Sequence, residues 1–245
     1  MKTTGASCAS GRQVPAVLTD FDDTAATQNV AELLLTRFGD STWTSVRQQF
    51  RDGELDLKEY QEITFRNIRA DQATMQAYVK EHASLRPYFR ELWGFCKKNA
   101  FPMAVVSQGL DFYISALLQK GGFDDIPIYA VNTKFTAGTI SYEYKHAYPG
   151  QESKGNSKGF IVDGFQQRGH YVVYAGDGLS DLEAARKADL VFAHRNLARY
   201  CDDENIPYSP FENFKGMLLA VREFSRNGSH PDYPVPGNKG QVEGS

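Results

Sequence analysis

Two short acidic runs carry the first chemical signal in the chain. Asp20-Phe21-Asp22-Asp23-Thr24 sets two carboxylates two residues apart, and on extended backbone such residues point to the same side. Two facing carboxylates in a partly dry pocket cannot both stay charged and unpaired. Either one takes a proton, or a cation that favours hard oxygen ligands sits between them. A second acidic pair, Asp177 and Asp181, lies in Gly176-Asp177-Gly178-Leu179-Ser180-Asp181. Asp20, Asp22 and Asp177 form a donor set suited to magnesium, which completes its octahedron with waters and phosphate oxygens. A lone Asp-x-Asp more often caps a helix or a turn. The recurrence of acid in a second run is what argues for a shared site.

A third run, Ser107-Gln108-Gly109, offers a hydroxyl and backbone N–H groups where a strand passes into a helix, the makings of an anion cradle. Alone it reads as a turn; opposite the aspartates it reads as a phosphate grip through Ser107 and Gln108. None of these runs contains a cation, so the cluster would repel itself and its anionic ligand. Lys154 and Lys158 lie in Ser153-Lys154-Gly155-Asn156-Ser157-Lys158-Gly159-Phe160. Lys158 is favoured, because it would open the following helix.

These side chains need a scaffold that gathers them. Five apolar runs read as buried strands: Ala16 to Thr19, Ala104 to Ser107, Ile128 to Val131, Tyr171 to Ala175 and Leu190 to Ala193. Helical patterns alternate with them, which predicts an α/β fold with a parallel sheet. The chemical runs follow the first, second and fourth strands, where open parallel sheets bind ligands.

One interval breaks the rhythm. Between the first two strands, Val30, Leu33, Leu34 and Phe38 recur at helical spacing up to Gly39. Trp43, Val46 and Phe50 continue to Gly53, and further helices are expected around Leu57 to Ile68 and Met75 to Val79. Phe89, Leu92, Trp93 and Cys96 then lead back to the second strand. One crossover helix would suffice, so residues 29–86 are read as an inserted helical cap. The catalytic core is expected over 14–28 and 87–225. Gly138 between β-prone residues of Phe135 to Tyr142 predicts a hairpin. Residues 1–13 and the Gly/Pro/Ser/Asn-rich 226–245 are read as tails, the latter flexible.

Composition narrows the partners. A net charge of −3 and a pI of 6.0, with no basic run, argue against nucleic acid. No apolar stretch approaches the ~20 residues of a membrane helix, and no secretory leader is visible. Cys8, Cys96 and Cys201 form no CxxC pair, so neither a disulfide framework nor a zinc site is indicated. A cytoplasmic protein is expected, with its oligomeric state unread.

Taken in order, Asp20-Phe21-Asp22-Asp23-Thr24, Ser107, Lys158 and Gly176-Asp177-Gly178-Leu179-Ser180-Asp181 resemble the four motifs of the haloacid dehalogenase superfamily. The resemblance spans about Val14 to Phe214. It implies a Rossmann-like core, and the inserted helices resemble the cap of the phosphoserine phosphatase-like branch. Ser107-Gln108-Gly109-Leu110-Asp111-Phe112 and Asp189-Leu190-Val191-Phe192-Ala193 are most similar to the methionine-salvage phosphatases within it, although those carry Gly at the position of Gln108. Phosphoserine phosphatases place a glutamate where this chain has Asn29.

The resemblance implies a phosphomonoesterase acting on a small phosphorylated metabolite, with Asp20 as nucleophile and Asp22 as general acid and base. Magnesium would be held by Asp20, the backbone carbonyl of Asp22, and Asp177, with Asp181 ligating or orienting its waters. Ser107 and Lys158 would bind the phosphoryl group, and Gln108 is added to the substrate-binding set. Asp22 separates the chain from haloalkanoate dehalogenases, which lack an acid there. Phosphomutase or phosphotransferase activity, phosphoserine hydrolysis and an inactive binding role are the alternatives. For the leaving group, Gln28, Asn29, Trp43, Arg47, Phe50 and Arg51 are near enough in sequence, but Trp43 and Phe50 share a helical stripe that favours packing.

Overall fold

The computed structural model describes residues 13–227. The strands are β1 (Val14–Thr19), β2 (Met103–Leu110), β3 (Ile128–Thr136), β4 (Thr139–Glu143), β5 (His170–Gly176), β6 (Leu190–Ala193) and β7 (Ser209–Pro210). They form one seven-stranded sheet in the order β4-β3-β2-β1-β5-β6-β7. Every neighbouring pair is parallel except β3 and β4, the predicted hairpin. The apolar runs and the hairpin correspond to six of these strands. The edge strand β7 was not anticipated, since two residues ending in proline leave no apolar run to detect.

Strand β1 lies in the centre and is buried from its second residue onward, which is why it reads as a continuous apolar run. Successive residues face opposite layers. Val17, Val105 and Val173 join Phe89, Leu92, Leu117, Phe214 and Val221 on one face. Leu18, Val106, Val172 and Tyr174 meet Ile161, Val162 and Phe165 on the other.

Five helices lie between β1 and β2 in the chain, the first four being α1 (Val30–Phe38), α2 (Trp43–Arg51), α3 (Leu57–Arg66) and α4 (Gln72–His82). Their starts have local causes. Asn29 Oδ1 accepts the Glu32 N–H at 2.9 Å, Asp56 and Glu59 cap α3 reciprocally, and Asp71 accepts the Thr74 N–H at 2.7 Å. Leu34, Met75 and Val79 enter the main core, so α1 and α4 are anchored there. Helices α2 and α3 pack on each other further out, and Asn67 Nδ2 donates to Asp40 Oδ2 at 2.8 Å across the neck of that pair. The chain leaves and re-enters the core side by side, with Ala26 bridged to Leu85 and the Arg86 N–H bonded to Ala25 O at 2.8 Å.

Helix α5 (Phe89–Lys98) returns to β2, followed by α6 (Asp111–Gly121), α7 (Lys158–Gln167), α8 (Leu182–Lys187), α9 (Arg195–Glu204) and α10 (Lys215–Asn227). Helix α10 runs two residues into the span read as a flexible tail from 226. The rest of that tail, and residues 1–12 of the N-terminal one, lie outside the described residues. No helix among the described residues is long and apolar enough to cross a membrane.

Candidate active site

Asp20 stands one residue beyond β1. Its N–H donates to Ala175 O of β5 at 2.9 Å, which fixes it at the carboxyl edge of the sheet. Lys158 opens α7 behind its N-cap Ser157, as its sequence position predicts. Its Nζ lies 2.7 Å from Asp20 Oδ1, 2.6 Å from Asp181 Oδ1 and 3.0 Å from Ser180 Oγ. The cation absent from the acidic runs therefore arrives from another element. Asp20, Lys158 and Asp181 are all buried.

Asp181 is saturated with donors. Lys158 and the Tyr174 hydroxyl bond to Oδ1, while the N–H groups of Asp177 and Gly178 bond to Oδ2 at 3.0 and 2.9 Å. The chain has no room to depart from this arrangement: a Cβ on Gly176 would lie 2.4 Å from Asp181 Cγ.

Asp20, Asp177 and Asp181 each offer an oxygen within 4.8 Å of the others. The side chain of Asp22, which extended backbone would set beside that of Asp20, lies outside this group. The backbone leaves the extended conformation in a tight turn over Phe21–Ala25, with Asp23 at φ 60°. Asp22 is thereby aimed at α1: its Oδ1 accepts the Val30 and Ala31 N–H groups at 2.6 and 3.3 Å, and its Oδ2 accepts the Tyr113 hydroxyl at 2.9 Å. In contrast, among the described residues Asp20 Oδ2 and Asp177 Oδ1 are bonded only by the Thr24 hydroxyl, at 3.5 and 3.4 Å. These two underused carboxylate oxygens, side by side, fit a hard divalent cation.

Ser107, Gln108 and Gly109 sit on an irregularity of β2. Between Val106 and Leu110 the pairing with β3 advances only from Tyr129 to Val131, so this segment bulges out of the ladder. Ser107 Oγ accepts the Gly109 N–H at 2.9 Å. The Gln108 side chain donates to Asn156 O at 3.1 Å, tying the bulge to the loop before α7. A Cβ on Gly109 would lie 1.9 Å from the Tyr113 hydroxyl oxygen, so only glycine lets that hydroxyl reach Asp22.

These residues floor a cavity of about 190 Å³, and Leu57, Tyr60, Gln61 and Phe65 of α3 roof it. Of the leaving-group candidates named from the sequence, Asn29 lines this cavity, whereas Gln28 and the residues of α2 do not, and α3 was passed over. Arg47 is instead paired with Glu32 at 2.6 Å, and Phe50 stacks on Tyr60. Thr24, Tyr113, Tyr174 and Ser180 were also missed. Thr24 and Ser180 sat inside quoted motifs; the two tyrosines carry no local signal.

Burial pushes the Asp22 carboxyl up to about 6, against the Tyr113 hydroxyl and the α1 amides, which favour its charged form. Burial and then Asp181 push Asp177 up to about 6 as well. Asp20 is driven well up by burial and by Asp181, with Lys158 opposing. Burial pulls Lys158 down, but Asp181 and Asp20 outweigh it and hold the ammonium above its ordinary value. The site is thus short of positive charge.

A family model described as haloacid dehalogenase-like hydrolase matches residues 17–186. The chain is 30% identical to a 2-hydroxy-3-keto-5-methylthiopentenyl-1-phosphate phosphatase of Exiguobacterium sibiricum, over 82% of this chain and 94% of that one. Among solved structures, a HAD family hydrolase from Salmonella enterica serovar Typhi superposes with a TM-score of 0.66 at 18% identity, covering 86% of this chain and 73% of that one. A phospho-aspartyl intermediate analogue of phosphoserine phosphatase gives 0.60 at 18% identity, with 87% and 98% covered. The chain belongs to the haloacid dehalogenase-like hydrolases, and its sheet is the Rossmann-like core of that family. Within the family it is a phosphatase.

Proposed function

We propose that the chain is a magnesium-dependent phosphomonoesterase that hydrolyses a small phosphorylated metabolite through an aspartyl-phosphate on Asp20. The observation that carries this reading is the convergence of Asp20, Asp22, Ser107, Lys158 and Asp177 on one cavity. An Asp20 carboxylate oxygen attacks phosphorus, and the bond from phosphorus to the ester oxygen breaks. Asp22, protonated at the outset, gives its proton to the departing alkoxide. As a carboxylate it then takes a proton from the water that attacks the aspartyl-phosphate, which releases phosphate and restores Asp20. Ser107 and Lys158 hold the phosphoryl oxygens, over which charge spreads in the transition state. Magnesium, held by Asp20, Asp177 and the Asp22 carbonyl, would supply the positive charge that this acidic site lacks. Asp181 positions Lys158 and the loop bearing Asp177, since both its oxygens are already occupied.

Residues 29–86 are read as the cap that closes over the leaving group and excludes water. A cavity of about 190 Å³ is below the usual range for drug-sized ligands and suits a short-chain ester. The similar phosphatase from Exiguobacterium supports a methylthiopentenyl phosphate or a related sugar or keto phosphate as the substrate class.

The test is phosphate release from p-nitrophenyl phosphate and a panel of small phosphorylated metabolites, with and without magnesium. Magnesium-dependent release, abolished in Asp20→Asn, is expected. Release that survives the substitution would remove Asp20 from the mechanism.

A further inference from the structure

Gln61 is a buried polar side chain in the roof of the cavity, and half of its amide has no partner among the described residues. The side chain is buried, at 5% exposure. Its Nε2 donates to Gln108 O at 2.6 Å, which identifies that end as the nitrogen. Its Oε1 is buried with no hydrogen-bond partner among the described residues. A buried amide oxygen left without a donor is costly, so a roof residue in that condition calls for a donor from the ligand.

The neighbours narrow what that donor is. Leu57, Phe65 and the ring of Tyr60 make the rest of the roof largely apolar, with the Tyr60 hydroxyl as its other polar group. Lys158 is taken up by Asp20 and Asp181, and Arg47 by Glu32. A leaving group with its own carboxylate would find no free cation among the residues lining this cavity, and for an ammonium Glu32, Asp23 and Asp22 are already engaged, by Arg47, by Arg195, and by Tyr113 with the α1 amides. A neutral hydroxyl beside an apolar chain fits both the orphan oxygen and its surroundings.

We propose that Gln61 is a specificity-determining residue, whose Oε1 accepts a hydrogen bond from a hydroxyl on the leaving group. The inference rests on the phosphatase reading and sharpens its substrate class to short, uncharged, hydroxylated alkyl phosphates. The Nε2 bond to Gln108 O aligns the amide, so cap and phosphate-binding bulge are joined through the residue that reads the ester.

The experiment measures kcat/KM with magnesium for propyl phosphate, 2-hydroxypropyl phosphate, glycerol 1-phosphate, dihydroxyacetone phosphate and phosphoserine. Wild type is expected to favour the best hydroxylated ester over propyl phosphate by at least about tenfold, because a site built for a hydroxyl rejects the analogue lacking it. Gln61→Met removes the acceptor at similar volume and should bring that ratio toward one. Gln61→Glu keeps an acceptor and should recover part of it. A merely structural tie to Gln108 would lower all esters alike and leave the ratio unchanged, which would overturn the proposal. Equal turnover of propyl and hydroxylated esters by wild type, or a preference for phosphoserine, would also overturn it. These wild-type arms decide the matter even if Gln61→Met fails to fold. Failure to hydrolyse any ester would instead strike the phosphatase reading itself.

Discussion

With its ammonium 2.7 Å from Asp20 and 2.6 Å from Asp181, Lys158 offsets two buried carboxylates at once. Removing one partner of a buried ion pair leaves an uncompensated charge and costs about 3–5 kcal/mol. Lys158→Met is therefore expected to lower the melting temperature as well as abolish turnover, with thermal unfolding and phosphate release as the two readouts. On the proposed mechanism Asp22 governs the pH dependence. Burial pushes its carboxyl up to about 6, and the protonated form would start the reaction. For an alkyl ester, kcat/KM should fall as pH rises through about 6, while p-nitrophenyl phosphate, whose leaving group departs as an anion, should show a weaker fall. Tyr113→Phe removes a donor that favours the charged carboxylate, so the falling limb should move to higher pH. A pH–rate profile of each variant checks both statements. Asp20, Asp22 and Asp177 could be grouped from the sequence because acidic runs recur after two separate strands, where capping explains one run but not both. Tyr113 was not legible, since a tyrosine on an apolar helix face announces packing, and only the fold brings its hydroxyl to Asp22.

The bulge in β2 does for its element what a loop does elsewhere: it frees three consecutive residues from the ladder while the flanking strand stays buried. Its tightest point is Gly109, where a Cβ would meet the Tyr113 hydroxyl oxygen at 1.9 Å. Gly109→Ala should displace Tyr113, cost about 1–3 kcal/mol of stability and reduce kcat. Removing the hydroxyl in Gly109→Ala/Tyr113→Phe should recover part of that stability, and a double-mutant cycle on the melting curves measures the coupling. Helical spacing announced α1 to α5, since their apolar stripes face the core. The bulge left no such trace, because Ser-Gln-Gly at the end of a strand reads the same whether the ladder stops or buckles. The roof was missed for a related reason. Gln61 is polar on a helix that also buries Phe65, and helical spacing marks apolar faces only.

Over the whole molecule, the parallel sheet was readable from apolar runs alternating with helices. The strand order was not, because pairing is decided by contacts between elements far apart in sequence. That order sets β1 between β2 and β5 and so unites three motifs that the chain keeps apart. The union concentrates negative charge, and a bound cation should relieve it. Magnesium is expected to raise the melting temperature in a concentration-dependent way, and Asp177→Asn should blunt that rise; calorimetry with and without chelator reads both. The hydrogen bond from Asn67 to Asp40 closes the neck of α2 and α3, while α1 and α4 stay rooted in the core. The roof of the cavity therefore hangs from a short, fastened stem and meets the β2 bulge through the bond from Gln61 to Gln108 O. Heredity can rewrite such a piece cheaply. Duplicated copies of this gene could drift to new esters by replacing the span between Asp40 and Asn67 and inherit the same chemistry intact.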